Sequence, residues 1–569
     1  MMLLFLLPLE LFLPGYSWIL CSGLDRRFGF LEKIALSFVV SVSFASLFTA
    51  GLSMLTSQYF LYSVFGSVML SLVLLLTRIL RHRGPLHLVM HIKSNRKIFV
   101  AVTTACAYVI LLLLLGWSSP IYPSSDALDP ITHAAIVDGI INGSGKVLLL
   151  HTTFPIGLHF ASALLGRLLD LNGLGALRVL LAMVLIDSFL LTYFCAGAVL
   201  GQGSADFALL AAAFVVPVDA IHLIKIGTFP NVLSDLIVLA VLWLMFAYMR
   251  EPNPALGLTL ALLTLEGLFV HSTFIIFLTA LWIALPVFFF KYKVHFRNYL
   301  MALLFATAGL FSLALVFRSF LTANFERIAS YGVSGALFTP VPLTLQTILW
   351  NYYSFAGSLA PSLIIAAVIF VLLKRRNSSG SGFACVWFGI LIIGAVVSTD
   401  SWRFVLLSMA PGSLLLGQLL SALRQTSKEL SARTNWLKGS GLLAPLVLIA
   451  LVLSGGFITL LPRVYDPAGR TRQQAIFASM SWLKQNDHGY SVVSVGLWSD
   501  YRYLYTLTGI SYMGDYNESA PSIIAQSMNN GFRYVAVAIQ SSQFPTFQYS
   551  SSVQEKYQNS IVAIFFILS

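Results

Sequence analysis

A chain of 569 residues that is 58% hydrophobic and only 10% charged, with a mean hydropathy of +0.85, does not have the composition of a water-soluble globular protein. Soluble chains carry about 25% charged residues. The net charge of +12 would suit a nucleic-acid partner in a soluble protein. In a multi-pass membrane protein, Lys and Arg gather in cytoplasmic loops, so no nucleic-acid partner is expected. The cysteines, Cys21, Cys106, Cys195 and Cys385, lie in or beside apolar runs without CxxC spacing, which argues against a disulfide framework and a metal cluster.

Apolar runs of about 20 residues, the length a helix needs to cross a bilayer, recur along the chain. The first, MMLLFLLPLELFLPGYSWIL, lacks a basic start and a small-x-small cleavage site and reads as a retained span. Further spans fall near 33–52, 59–79 and 98–117. The loop between the last two holds Arg78, Arg81, Arg83, Lys93, Arg96 and Lys97, which makes it cytoplasmic. The following segment, Trp117–His159, is the most polar in the first third of the chain and is therefore external.

The segment 154–170 decides the sidedness of everything after it. If it crossed, Arg250, Lys291, Lys293, Lys374, Arg375, Arg376 and the cluster at 424–438 would all lie outside. It is short, starts near Pro155 and carries Arg167 and Asp170, so we read it as a juxtamembrane or re-entrant helix. Later spans fall near 176–200, 206–223, 231–249, 255–271, 273–290, 299–318, 344–373, 383–399, 404–423 and 440–461, making about fourteen in all. The stretch NSSGSG (377–382) reads as a cytoplasmic turn.

Beyond Pro462 the pattern changes. RTRQQAIFASMSWLKQNDHG has helical periodicity with Ile476, Met480 and Leu483 on one face. SVVSVGLW, FRYVAVAIQ and SIVAIFFIL read as buried strands. The predicted fold is an all-α polytopic membrane protein with a small external α/β C-terminal domain, set in the plasma membrane. Its parts are 1–97, helices with a cytoplasmic loop; 98–461, a transmembrane core with external loop 118–153 and juxtamembrane helix 154–170; and 462–569, the external domain.

This topology brings ionisable residues to the external ends of spans, where they line cavities more often than they face lipid. They are Asp126, Asp129, His133, His159, His222, Lys225, Asp235, Glu266, His271, Arg327 and Arg403. Asp129-Pro130 also suits the cap and first turn of a helix, so capping and chemistry compete at Asp129. His133, four residues on, shares its helix face. The D-x-x-D spacing of Asp126 and Asp129 admits a divalent metal, Mg or Mn, although two carboxylates alone do not define a site.

The order of these features resembles the GT-C superfamily of membrane glycosyltransferases, which use polyprenyl-phosphate-linked sugars and include protein mannosyltransferases, aminoarabinose transferases and oligosaccharyltransferases. The resemblance is carried by Asp126 in the first large external loop, then DPITHAAIVDGIINGS, FPIGLHFASALLG, TFPNVLSDLIVL and RFVLLSMAPGSLLLG, ending in WLKQN at the start of an external domain. WSDY (498–501) is similar to the WWDYG motif of oligosaccharyltransferases but lacks its second Trp and its Gly. The resemblance implies an inverting transfer from a polyprenyl-phosphate sugar to a glycan, lipid or protein acceptor among membrane lipids. Asp126 would be the base, with Asp129 and His133 beside it. Arg403, Lys225 and Arg327 would meet the donor phosphate, and His222, Asp235, His271 and His159 would support them. A transporter or flippase of lipid-linked sugars, and a non-catalytic glycolipid-binding protein, are the alternatives.

Overall fold

A computed structural model describes residues 2–81, 129–151, 156–201, 203–212, 229–271, 274–291, 296–316, 360–373, 379–397, 404–405, 407–433, 467–486, 491–497, 512–513 and 519–568. The N-terminal helices are α1 (Met2–Cys21), α2 (Phe30–Leu55) and α3 (Tyr59–Arg81). After the undescribed 82–128 come α4 (Asp129–Gly139), a π-helical turn (Ile140–Ser144) and α5 (Gly145–His151). Then follow α6 (Gly157–Leu169), α7 (Gly173–Leu200), α8 (Phe229–Arg250), α9 (Pro254–Val270), α10 (Phe274–Lys291) and α11 (Phe296–Val316). The later helices of the bundle are α12 (Ala360–Leu373), α13 (Ser379–Val397) and α14 (Met409–Arg433).

The described helices fall where the apolar runs predict. Among the described residues, four of them, α2, α3, α7 and α8, are long and apolar enough to cross a membrane, and several others are shorter apolar helices. That is fewer than the fourteen spans expected, and the predicted spans 98–117 and 440–461 lie outside the described residues. Two local readings change. The helix expected to begin at Asp129-Pro130 is followed by further helical turns through 151 rather than by loop, and four of the six residues of NSSGSG form the first turn of α13. Backbone groups near a membrane surface are satisfied most cheaply within a helix, which explains both.

The bundle has two distinct ends. At one, Arg78 of α3 pairs with Asp25 at 3.1 Å, and Arg27 pairs with Glu251 at 3.2 Å. Arg250 there donates to the Ala198 carbonyl at 2.8 Å, and Asn298 to the Met249 carbonyl at 3.0 Å. This end therefore gathers the end of α1, the start of α2, the ends of α3, α7 and α8, and the starts of α9 and α11. The opposite end holds the close of α2, α4 to α6 and the start of α8.

Helix α6 stays at that opposite end. The Ser46 hydroxyl of α2 donates to the Gly157 carbonyl at 2.9 Å, while Leu164 and Leu168 cluster with Ala45 and pack against Phe60 and Val64. Both ends of α6 thus pack on the second half of α2, and its C-terminal half also packs on the first turns of α3. It stops at Asp170, whose positive φ of 54° takes the left-handed cap conformation, and Asn172 then caps α7 by accepting from the Gly175 N–H at 2.9 Å.

The C-terminal part begins with α15 (Pro467–Asn486) and continues through β1 (Ser491–Val495), β2 (Tyr512–Met513), α16 (Ala520–Asn529), β3 (Phe532–Ala538), α17 (Phe544–Gln548), β4 (Val553–Gln558) and β5 (Val562–Ile567). Its sheet has the order β2-β1-β3-β5-β4, with β1 parallel to β2 and β3, and β5 antiparallel to β3 and β4. The alternation of β3 splits its side chains between two cores. Tyr534 and Ala536 face Ile476, Met480 and Leu483 of α15, while Val535 and Val537 face Ile523 and Ile524 of α16. All three strands expected from apolar runs are present. The expected helical face is also the one buried.

Candidate functional site

The site is built on α4, held in place from three sides. Asp138 accepts a hydrogen bond at 2.6 Å from the Gly173 N–H at the start of α7, where a carboxylate also meets the positive end of the helix dipole. The approach there is so close that a Cβ on Gly173 would strike the Ala134 carbonyl. The Tyr59 hydroxyl of α3 donates to the Ile140 carbonyl in the π-turn. The third contact is chemical as well as structural. His133 Nδ1 lies 2.7 Å from Nε2 of His159 on α6, and the Phe229 ring at the start of α8 lies 5.8 Å from the His133 ring.

His159 is fully buried. Burial also pushes the His133 imidazole down to about 4, so it is neutral at physiological pH. The Asp138 carboxyl is raised by burial, an effect its hydrogen bond to Gly173 opposes.

Glu266 adds a carboxylate next to α6. It is fully buried on α9, with neither oxygen hydrogen-bonded, and its Oε1 would lie 3.0 Å from a Cβ placed on Gly157. Glycine at 157 therefore lets α9 close onto the start of α6. Deeper in the bundle lie two more buried carboxylates, Glu10 on α1 and Asp187 on α7. The polar residues thus do not all collect at one end. Asp187 sits in a long apolar run, where nothing in the local pattern draws attention to it.

Among the expected site residues, the structure brings His133 and His159 together. Asp235 is half-buried on α8, below Phe229, and His271 closes α9, its N–H donating to the Gly267 carbonyl at 2.9 Å. Asp129 opens α4, as a helix-start residue should. Asp126, His222, Lys225, Arg327, Arg403 and WSDY lie outside the described residues.

Among the described residues, no three His, Cys, Asp or Glu side chains gather to hold a metal. The histidine pair does not fit one either. Two nitrogens on one tetrahedral metal stand about 3.4 Å apart, given bonds of about 2.0–2.1 Å. At 2.7 Å, His133 and His159 share a proton instead.

No family model and no curated protein sequence matches the chain. Solved structures do. The oligosaccharyltransferase of Archaeoglobus fulgidus, tethered to an acceptor peptide containing the NVT sequon, matches with a TM-score of 0.56 at 12% identity, over 79% of this chain and 70% of that one. The same enzyme in complex with Zn and sulfate gives 0.55 at 14%, over 77% and 68%. ArnT from Cupriavidus metallidurans bound to undecaprenyl phosphate gives 0.53 at 10%, over 83% and 98%. The chain has the GT-C fold. At these identities the likeness establishes architecture and leaves the chemistry to the residues of this chain. The GT-C architecture expected from the sequence therefore has a structural basis.

Proposed function

We propose that the protein is a membrane glycosyltransferase that moves a sugar from a polyprenyl-phosphate donor to a glycan, lipid or protein acceptor. The observation that carries this reading is the GT-C fold shared with an oligosaccharyltransferase and with an ArnT bound to undecaprenyl phosphate. The anchoring of α4 supports it, because a reacting loop must be held firmly to position a base.

In this reading Asp126 takes the proton of the acceptor hydroxyl or amide as that atom bonds to the anomeric carbon. The bond from that carbon to the phosphate oxygen breaks on the opposite face, which inverts the centre, and polyprenyl phosphate leaves. Arg403, Lys225 and Arg327 meet the charge that develops on the leaving phosphate. In the same reading Asp129 and His133 assist the base, and His159, Asp235, His222 and His271 support them. Should Asp126 and Asp129 hold Mg or Mn, that ion would neutralise phosphate or polarise the acceptor amide. This end of the bundle faces outward, and the C-terminal domain lies on the same side.

Asp126→Asn tests the reading. The variant keeps its fold and thermal stability, while transfer from a polyprenyl-phosphate sugar falls by about 10²–10⁴-fold, the usual worth of a general base. Full transfer in that variant removes Asp126 from the role.

A second reading is favoured by one observation. Glu10 and Asp187 are buried acids well inside their helices, as in transporters whose sites lie near the membrane midplane. A fluorescent lipid-linked sugar in liposomes separates the two. Movement between leaflets without any transfer would favour the transporter.

A further inference from the structure

Helix α3 turns its apolar side chains outward, and among its described residues the buried ones are Tyr59, Ser63, Ser67 and Ser71. They recur every fourth residue, so their hydroxyls form one stripe with steps of about 6 Å that runs on toward Arg78. Glu10 of α1 lies along this stripe, 1% exposed and with neither carboxyl oxygen hydrogen-bonded. Two hydrogen bonds set its height. The Gly15 N–H donates to the Ser41 hydroxyl at 2.8 Å, and the Thr49 and Ser63 hydroxyls share a bond of 2.7 Å. The stretch of α2 between Ser41 and Thr49 rises about 12 Å. Because α1 and α3 both run against α2, Ser63 and Ser67 come to bracket Glu10 in height. Gly15 faces α2, since a Cβ there would strike the Ser37 carbonyl, and Glu10 stands about 140° round the helix from it. The helix seated most broadly on the rest of α1 is α3. Its Ser67 hydroxyl is close enough to bear on the Glu10 carboxyl without closing a hydrogen bond to it.

Unbonded polar atoms continue from Glu10 toward the clasp: the Ser17 hydroxyl on the same face of α1, then Asp25 Oδ1 and Arg78 Nη1. In the other direction the stripe passes the Thr49–Ser63 bond and reaches Tyr59, whose hydroxyl donates to the Ile140 carbonyl beneath the exposed Asn142–Ser144. Burying so many unbonded polar atoms is costly unless water reaches them. One bridging water spans about 5.5 Å between two oxygens, close to the step between successive serines. A metal cation does not fit, because oxygens bound at about 2.3–2.6 Å to one ion lie closer together than these steps. A proton does fit, since hydroxyls and water pass protons on and a carboxyl can hold one.

We propose that the seam between α1 and α3 is a proton pathway joining the two ends of the bundle, with Glu10 as its relay. A proton enters from water at Asp25, and each water or hydroxyl takes one proton and gives another onward. The Glu10 carboxylate becomes a carboxylic acid and returns to carboxylate as the proton moves toward Ser63. No group is left changed, and the membrane voltage or a pH gradient drives the flow. The helices packed on α1 carry their other charges at the clasp (Glu32, Lys33, Arg78, Arg81) or on α6 (His159, Arg167), which leaves Glu10 as the acid within the seam. The pathway does not rest on the transferase reading.

The test uses the full chain in liposomes that hold a trapped pH-sensitive dye, with no sugar donor or acceptor present. A potassium gradient and valinomycin set the membrane voltage. Proton flux above that of protein-free liposomes is expected. Glu10→Gln keeps the size of the side chain but cannot hold the proton, and should cut the flux about tenfold or more, within the usual worth of a positioned acid–base group. Glu10→Asp keeps a carboxyl and should recover part of the flux, which guards against a folding defect. Ser67→Ala should lower it by less than Glu10→Gln does. Thr264→Ala removes an equally buried, unbonded hydroxyl on α9, outside the seam, and should leave the flux unchanged. Flux no greater than in protein-free liposomes overturns the proposal, and so does equal flux in the native protein and Glu10→Gln. A fall in Thr264→Ala as large as in Glu10→Gln overturns it too, because the path would then lie elsewhere. With no sugar in the assay, failure of the transferase reading leaves each of these outcomes readable.

Discussion

The two ends of the helical bundle solve the same problem differently. Where α3, α8 and α9 meet the turn after α1, each charge described above finds an opposite charge or a carbonyl: Arg78 with Asp25, Arg27 with Glu251, Arg250 with Ala198. Where α4 to α6 cross the other end, Glu266 is fully buried with neither oxygen bonded, and two histidines face each other with no charged partner among the described residues. The first end is a clasp of paired charges, although Arg78 Nη1 and Asp25 Oδ1 are buried there without a hydrogen bond. The second keeps polar capacity unused, as binding and catalytic sites do and as stability alone would disfavour.

Gly173 offers the sharpest way to break this contrast. Gly173→Val drives a branched side chain into the Ala134 backbone and lifts α4 away from α7, with overpacking worth about 1–3 kcal/mol. A clear fall in melting temperature together with lost sugar transfer is expected. A fully stable, active variant would show that α4 need not be seated there.

Acid acts next. Folding holds His133 at about 4, below the ordinary value of 6.5, so the unfolded chain binds more protons between those values. Its contribution to stability is complete above about pH 6.5 and is lost as the pH falls through that window toward 4. Melting curves from pH 7.5 to 4 should therefore fall less steeply in His133→Gln than in the native protein. Equal slopes would remove the buried histidine from the acid response.

At the clasp, smaller effects are expected. Arg78→Ala breaks a pair whose side chains are 11% and 17% exposed, and costs about 1 kcal/mol or somewhat more. Glu251→Ala touches a pair that is 30% and 70% exposed, so its cost lies in the range of about 0–1 kcal/mol and vanishes at high salt. Melting temperatures of the two variants at low and high salt check the order. A larger loss from Glu251→Ala would mean that exposure does not set the strength of these pairs.

Much of the fold was legible because hydrophobic period is a local property. Ile476, Met480 and Leu483 announce a helix face, and VVSV, YVAVA and VAIFFI announce strands, whatever they pack against. That 157–169 is a short helix was legible too, from the Pro155 that precedes it and the charges at its end. The site was legible only in part. His133 and His159 are separated by 26 positions and meet because α4 is seated against its neighbours, in part by Asp138, two residues before the π-turn, which fastens it to the start of α7. Nothing in the spacing of two histidines encodes that. Glu266 stands out as a charge in an apolar run, yet its lack of a partner is a property of packing. Asp187 had a quieter signal still, a single acid within an apolar run of α7.

The π-turn between α4 and α5 has a further consequence. Its residues Asn142, Gly143 and Ser144 are exposed, Gly143 takes a left-handed φ of 97°, and together they spell an N-linked glycosylation sequon. The turn that seats α4 thus carries a built-in tag for sidedness. In a host that decorates such sequons, a glycan on Asn142 would mark this end of the bundle as the one turned away from the cytoplasm.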